Sequence, residues 1–298
     1  MIKKITSNEF NNVKELVKKV FDNSVAKDYS DEGKDEFYKF VNDNEKSNIV
    51  AKDLELELNK YGFKVVTKGA YDLAISVGGD GSFLRMVKET KFNESVYYIG
   101  VNSGTLGFLQ EIDIKDTVDF VKRLNSDEYK IEEISVQETK VITEDKIYNF
   151  DSLNEIVIRN REFNVLRVPV YVDDELLENF SGDGLLISTS TGSTAYNMSF
   201  GGSIVYNTLS TLSITPIAPL NNKVYKTLFN SVIVPGDRVV TLKPDRDYKD
   251  LFIQIDGVNK LIDNVIKVET KIDKKRIKCL RMNDFHFIKV INNKILSK

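Results

Sequence analysis

The chain has 298 residues but only one cysteine, Cys279, and one histidine, His286, and this scarcity removes whole classes of chemistry. A lone thiol forms no intramolecular disulfide, and without a Cys/His cluster no zinc site is written into the sequence. Ser-His-Asp and Cys-His catalysis have almost no material to work with. No apolar run reaches membrane-spanning length, and MIKKITSNEFNN lacks the apolar core of a signal peptide. A cytoplasmic protein with no membrane contact is therefore expected. Massed basic charge is absent too: the net charge is -3 and the lysines are scattered, which argues against nucleic acid as a partner. What remains for catalysis is carboxylates and bound metal.

Enough apolar material is present to fold. Hydrophobic residues make up 41% and charged residues 29%, which excludes wholesale disorder, and the length suits two domains. The first domain is expected over 1–124. Phe10–Phe21 and Ile49–Tyr61 carry helical spacing, the second closed by Gly62, while Asp28–Lys46 is acidic, lysine-rich and weakly patterned. Phe63–Val66, Leu73–Val77 and Tyr97–Val101 read as buried parallel strands, so this part is an open α/β sheet. The second domain, 125–280, is β-rich. Its expected strands are Glu132–Thr143, Lys146–Phe150, Glu155–Arg159, Leu166–Val172, Gly184–Ser188, Ser231–Val234, Val239–Pro244 and Leu251–Ile255, with helix only around Ala195–Val205. The pattern leaves open a return of 281–298 to the first domain. The fold class is thus α/β plus all-β, the second part sandwich-like.

Four motifs carry chemistry. The first is Gly78-Gly79-Asp80-Gly81, directly after an apolar strand, where the backbone can approach a phosphate without Cβ obstruction. A carboxylate there would repel a phosphate, so Asp80 fits a metal-linked or proton-accepting role. No GxxxxGK[ST] lysine is present, which excludes a P-loop. The second is a glycine-rich turn, Asn102–Leu109, whose Phe108 suits either a base or the core. Loops at the carboxyl ends of neighbouring strands are where open α/β sheets bind ligands. The third, Asn154-Glu155, pairs an amide with a carboxylate and suits ribose hydroxyls, although a plain polar turn would look the same. The fourth runs from Gly182-Asp183-Gly184 through Ser188–Tyr196 to Ser199 and is dense in hydroxyls. Thr191–Tyr196 has the composition of a helix N-terminus facing an anion.

In their order and spacing these motifs resemble the NAD kinase family, whose pattern is GGDG, TLGF, Asn-Glu and then GDG leading into STPTGSTAY and a Ser. Here they stand as Gly78–Gly81, Thr105–Phe108, Asn154-Glu155, Gly182–Gly184, Ser188–Tyr196 and Ser199, with Ser82 in place of Thr and Ser190 in place of Pro. GGDG alone also occurs in lipid kinases and phosphofructokinases; the long Ser/Thr motif is what selects this family. The resemblance implies phosphoryl transfer from ATP or polyphosphate to the 2′-hydroxyl of the adenosine ribose of NAD. Magnesium or another divalent metal would arrive with ATP. It implies an N-terminal α/β domain, a C-terminal β-rich domain with the NAD site between them, and a homodimer or homotetramer. It assigns Asp80 to the reacting hydroxyl, Gly79 and Gly81 to phosphates, and Phe108 to the adenine. Asn154 and Glu155 would hold a ribose, and Asp183 the nicotinamide end. Ser188, Thr191, Thr194, Ala195, Tyr196, Ser199 and Ala218 would line the pockets.

Overall fold

The computed structural model describes residues 31–66, 69–104, 107–245 and 250–296, with only the backbone of 31–45 among them. The helix expected at Phe10–Phe21 lies outside these residues. Along the first part of the chain come α1 (Asp31–Lys60), β1 (Leu73–Gly78), α2 (Asp80–Glu89), β2 (Tyr97–Asn102), β3 (Ile112–Asp113) and α3 (Thr117–Asn125). The residues fall into two compact units. One comprises Met1–Gly69, Ser76–Phe83 and Gly100–Asp127; the other comprises Ala70–Ile75, Leu84–Ile99 and Glu128–Lys298.

In the first unit, α1 extends the expected helix upstream as one continuous element. It buries Val50, Leu54 and Leu58, one residue per turn on a single stripe, and packs against α3, which buries Phe120, Val121 and Leu124. Its end matches the expectation. Phe63 N–H reaches the Leu58 carbonyl and Gly62 N–H the Asn59 carbonyl, with Gly62 at a φ of 82°, the pair of bonds that closes a helix through a left-handed residue. Phe63–Val66, expected as a strand, is not one: it leaves that turn as irregular chain with Val65 and Val66 exposed and no partner strand among the described residues. The ends of β2 and β3 pair in parallel through Val101–Ile112 and Asn102–Asp113.

The second unit is a sandwich. Its strands are β4 (Tyr129–Thr143), β5 (Ile147–Ser152), β6 (Glu155–Asn160), β7 (Leu166–Val172), β8 (Glu175–Gly182), β9 (Gly184–Thr189), β10 (Thr211–Ile217), β11 (Val232–Pro235), β12 (Val240–Leu242), β13 (Leu251–Ile255), β14 (Val258–Ile262) and β15 (Val265–Met282). Two short helices, α4 (Tyr196–Ser199) and α5 (Phe287–Ile291), complete it. One sheet runs β2-β15-β12-β7-β8, with β4 on β15 and β5 on β4, and β2 joins it in parallel through Tyr97 and Tyr98. The other runs β11-β10-β9-β6-β13-β14 and is antiparallel throughout. Alternate residues of both sheets, such as Val168 and Val170 from one and Ile156, Ile158, Leu185 and Ile187 from the other, form one continuous core.

Every strand expected in this unit is present, and four were not anticipated: β8, β10, β14 and β15. The expected helix around Ala195–Val205 contracts to the four residues of α4. Thr191–Thr194 forms a single 3-10 turn rather than the start of a long helix, and the Ser190 side chain does not cap it.

Candidate active site

The first unit carries the GGDG motif where β1 hands over to α2. Gly78 has a φ of 150°, and a Cβ there would sit 2.3 Å from Ser82 Oγ, so only glycine lets α2 start this tightly. Asp80 opens α2, where its charge complements the positive end of the helix dipole. Its two oxygens are already engaged: Oδ2 accepts the Phe108 N–H at 2.8 Å and Oδ1 the Leu109 N–H at 2.9 Å. Gln110 ties the same turn back, donating from Nε2 to the Gly79 carbonyl at 2.6 Å and sharing a hydrogen bond with Ser76. The structure thus brings Asp80 and Phe108 together, with Phe108 half-buried. Gly79 and Gly81 differ from Gly78. Neither has positive φ, and a Cβ on either would meet nothing within 4 Å. Among the described residues nothing requires glycine at these two positions. Thr105 and Leu106 of the same turn lie outside the described residues.

In the second unit the Asn-Glu pair sits at the start of β6, and its neighbours explain its shape. Asp256 and Gly257 form the two-residue turn between β13 and β14, both with positive φ, as an Asp-Gly hairpin turn requires. The Asp256 carboxylate points from this turn into three successive amides, accepting Leu153 N–H at 2.8 Å, Asn154 N–H at 2.8 Å and Glu155 N–H at 3.2 Å. The Ser/Thr-rich loop closes the other side. Thr189 donates its N–H to the Asn154 carbonyl and its hydroxyl to the Leu153 carbonyl, then accepts the Gly192 N–H at 3.0 Å, so that a threonine caps the turn. A Cβ on Gly192 would lie 2.1 Å from the Asn154 carbonyl oxygen, so the loop can settle here only as glycine.

Glu155 is 6% exposed and accepts the Tyr196 backbone N–H, while its Oε2 is buried with no hydrogen-bond partner. Burial, and then the nearby Asp256 carboxylate, push its pKa up to about 8, so it is largely protonated at neutral pH. Burial raises Asp256 as well, against the three amides and the charge of Lys88, which favour its ionised form. The hydroxyl of Thr191 is a second buried group without a partner. A buried polar atom left unsatisfied costs roughly 1–3 kcal/mol, so each of these two atoms calls for a reason beyond the fold.

The remaining expected residues fall into this unit as well. Ser188 is fully buried opposite Glu155 on the neighbouring strand, its hydroxyl donating to the Thr189 carbonyl. Thr194 is buried; Ala195 is half-buried at the start of α4; Ser199, at its end, is exposed. The Tyr196 hydroxyl accepts from Arg159 at 3.2 Å, and its ring meets Phe200 edge-on at 4.8 Å. Asp183 and Ala218 are both exposed and adjacent: Asp183 N–H bonds the Ile217 carbonyl, and Ala218 turns with a φ of 43° against Gly182. Sequence reasoning missed Asp256. Its signal, an Asp-Gly between two alternating apolar runs, was readable as a hairpin but not as the group that shapes β6. Among the described residues no group of three or more His, Cys, Asp or Glu side chains could hold a metal ion.

Residues 4–129 match the family model described as the ATP-NAD kinase N-terminal domain, and residues 153–280 the ATP-NAD kinase C-terminal domain. The chain is 38% identical over 259 residues to an NAD kinase of Finegoldia magna, covering 84% of this chain and 94% of that protein. It is 34% identical over 253 residues to NAD kinase 2 of Bacillus licheniformis, again covering 84% and 94%. Among solved structures, yeast NADH kinase complexed with NADH superposes with a TM-score of 0.68 at 24% identity, over 77% of this chain and 67% of that one. An NAD kinase from Archaeoglobus fulgidus in complex with ATP gives 0.64 at 21% identity, over 83% and 95%. These two likenesses bear on the fold.

Proposed function

The chain belongs to the NAD kinase family, and from that premise we propose how its residues carry out transfer of a terminal phosphoryl group to the 2′-hydroxyl of NAD. The phosphoryl donor is read as ATP, or polyphosphate, entering with magnesium or another divalent ion as part of the substrate. With no P-loop lysine, backbone dipoles and that ion must meet the phosphate charge. Gly79 and Gly81, where the fold leaves room for a Cβ, are read as the places where phosphate oxygens approach the backbone.

Asp80 is assigned to the reacting hydroxyl. The two amides hold its carboxylate rigid, and each oxygen keeps a lone pair for a further hydrogen bond. A carboxylate so placed orients the hydroxyl and accepts its proton, an effect worth on the order of 10²–10⁴-fold. Phe108 is assigned to the adenine.

The observation that carries the substrate assignment is Glu155: a buried carboxyl with one free oxygen, pushed up to about 8, beside an amide on a rigid strand start. A neutral carboxyl donates one hydrogen bond and accepts another, which matches a sugar hydroxyl that also does both. Asn154 and Glu155 are therefore assigned to a ribose of NAD, with Thr191, Thr194, Ala195, Tyr196, Ser188 and Ser199 lining the pockets and Asp183 with Ala218 at the nicotinamide end. We further read the chain as a cytoplasmic homodimer or homotetramer, on the family's pattern alone.

The test is NADP formation from NAD, ATP and magnesium by the purified protein, repeated with polyphosphate and with excess chelator. NADP that appears with metal and vanishes with chelator is expected. No NADP from either donor would overturn the function, and undiminished activity in chelator would overturn the metal's part in it.

A further inference from the structure

The segment Ser203–Asn207 doubles back along the Ser190–Asn197 turn and is pinned to it at three levels. Ser190 Oγ donates to the Asn207 carbonyl at 3.4 Å; Ser193 Oγ donates to the Val205 carbonyl at 3.2 Å and accepts the Val205 N–H at 3.0 Å; Asn197 Nδ2 donates to the Ser203 carbonyl at 3.2 Å. The far end of this strap is itself anchored. Asn207 Nδ2 donates to Glu132 Oε1 at 2.6 Å, and the other oxygen of Glu132 accepts Arg281 Nε at 2.8 Å. Glu132 stands on β4 and Arg281 on β15, which pair directly at Cys279–Glu132, so the ion pair is fixed to the sheet. Arg281 is 4% exposed and lies over the Phe285 ring at 4.4 Å.

Burying an ion pair is costly, and hydrophobic residues of like volume often serve stability as well. A pair whose carboxylate spends its second oxygen on one asparagine has a reason beyond stability: it fixes where that asparagine sits. We propose that Asn207, held by the Glu132–Arg281 pair, is a positioning residue for NAD, setting the placement of the Thr191–Thr194 turn through the Ser203–Asn207 strap. The turn is only one 3-10 turn long: Thr189 caps its start, and the strap ties the rest of it to the sheet. The inference rests on the reading above that this turn faces NAD.

Steady-state kinetics for both substrates decide it. Asn207→Ala is expected to raise KM for NAD on the order of ten-fold, the loss of one hydrogen bond to a charged group, with KM for ATP unchanged. Glu132→Leu is expected to show the same split. Glu132→Gln keeps an acceptor oxygen for Asn207 and is expected to restore KM for NAD to near wild type even if its melting temperature falls. A melting temperature lowered in Asn207→Ala with both KM values unchanged, or both raised equally, would overturn the inference, as a purely structural tie predicts. Should Glu132→Leu fail to fold, Asn207→Ala, which leaves the ion pair intact, still decides. A wild-type protein that makes no NADP overturns the function itself and this inference with it; a normal wild type with an unsplit variant overturns the inference alone.

Discussion

The surroundings of Asp80 and of Glu155 treat the same functional group in opposite ways. Asp80 sits at a helix start with an amide on each oxygen, between Gly79 and Gly81, where a Cβ would meet nothing within 4 Å. Glu155 is sealed in a strand start, short of one partner, and beside a second carboxylate. Amides on both oxygens hold the Asp80 carboxylate in one orientation; burial next to a like charge makes Glu155 an acid that keeps its proton. In the proposed roles, environment and not residue type separates the base from the binder, and each test below presses on that separation.

The largest effect is expected from Asp80→Asn, which should lower turnover by on the order of 10²–10⁴-fold while NAD affinity stays within a few-fold. Calorimetry showing lost NAD affinity alongside normal turnover at saturation would reverse the roles of the two carboxyl groups. Next comes crowding. Gly192→Ala drives a Cβ into the Asn154 carbonyl and should destabilise the second unit by ~1–3 kcal/mol, seen as an earlier midpoint in urea. A midpoint matching wild type would mean that the loop is not seated on β6 as described.

The titration of Glu155 follows in size. Its native pKa of about 8 lies above the usual 4.5, so the folded state holds a proton that the unfolded chain gives up. The stability this confers is full below pH 4.5 and is lost as pH rises towards 8, at up to about 1.4 kcal/mol per pH unit. Glu155→Gln, which mimics the protonated acid, should flatten that slope and raise KM for NAD only modestly at neutral pH. Equal slopes for the two proteins in urea titrations at pH 5 and pH 8 would contradict a protonated Glu155. Smallest is Gly81→Ala. It lies within α2 in open space, so folding should become more favourable by up to ~1 kcal/mol while KM for ATP rises. An unchanged KM for ATP would remove the reason given for glycine there.

Much of this was legible in the chain. Short apolar runs marked β6 and β9, alternating apolar residues marked β7 and β13, and Gly62 marked the end of α1. The four unanticipated strands hide for physical reasons. β8 reads Glu-Leu-Leu-Glu-Asn-Phe-Ser-Gly, a poor alternation because its outer half is exposed; β15 spreads its apolar residues unevenly among lysines over eighteen residues, and its register against β4 shifts twice. Phe63–Val66 has strand composition but no neighbour to pair with among the described residues, and only tertiary structure supplies a neighbour. In the site, the motif residues were visible because their types are chemically unusual in sequence. Asp256 was not, because a carboxylate in a hairpin turn looks ordinary until the turn is placed against β6. The strap from Ser203 to Asn207 was hidden in the same way, its anchors lying on two distant strands.

The reach of Asp256 has a consequence for how the protein is made. Its carboxylate grips amides 101 to 103 positions earlier in the chain. On a ribosome adding about 5–20 residues per second, Glu155 is therefore exposed for roughly 5–20 s before the hairpin that shapes its pocket exists. A nascent chain stopped short of β13 can carry every motif that identifies the family and still lack the carboxylate that shapes the start of β6.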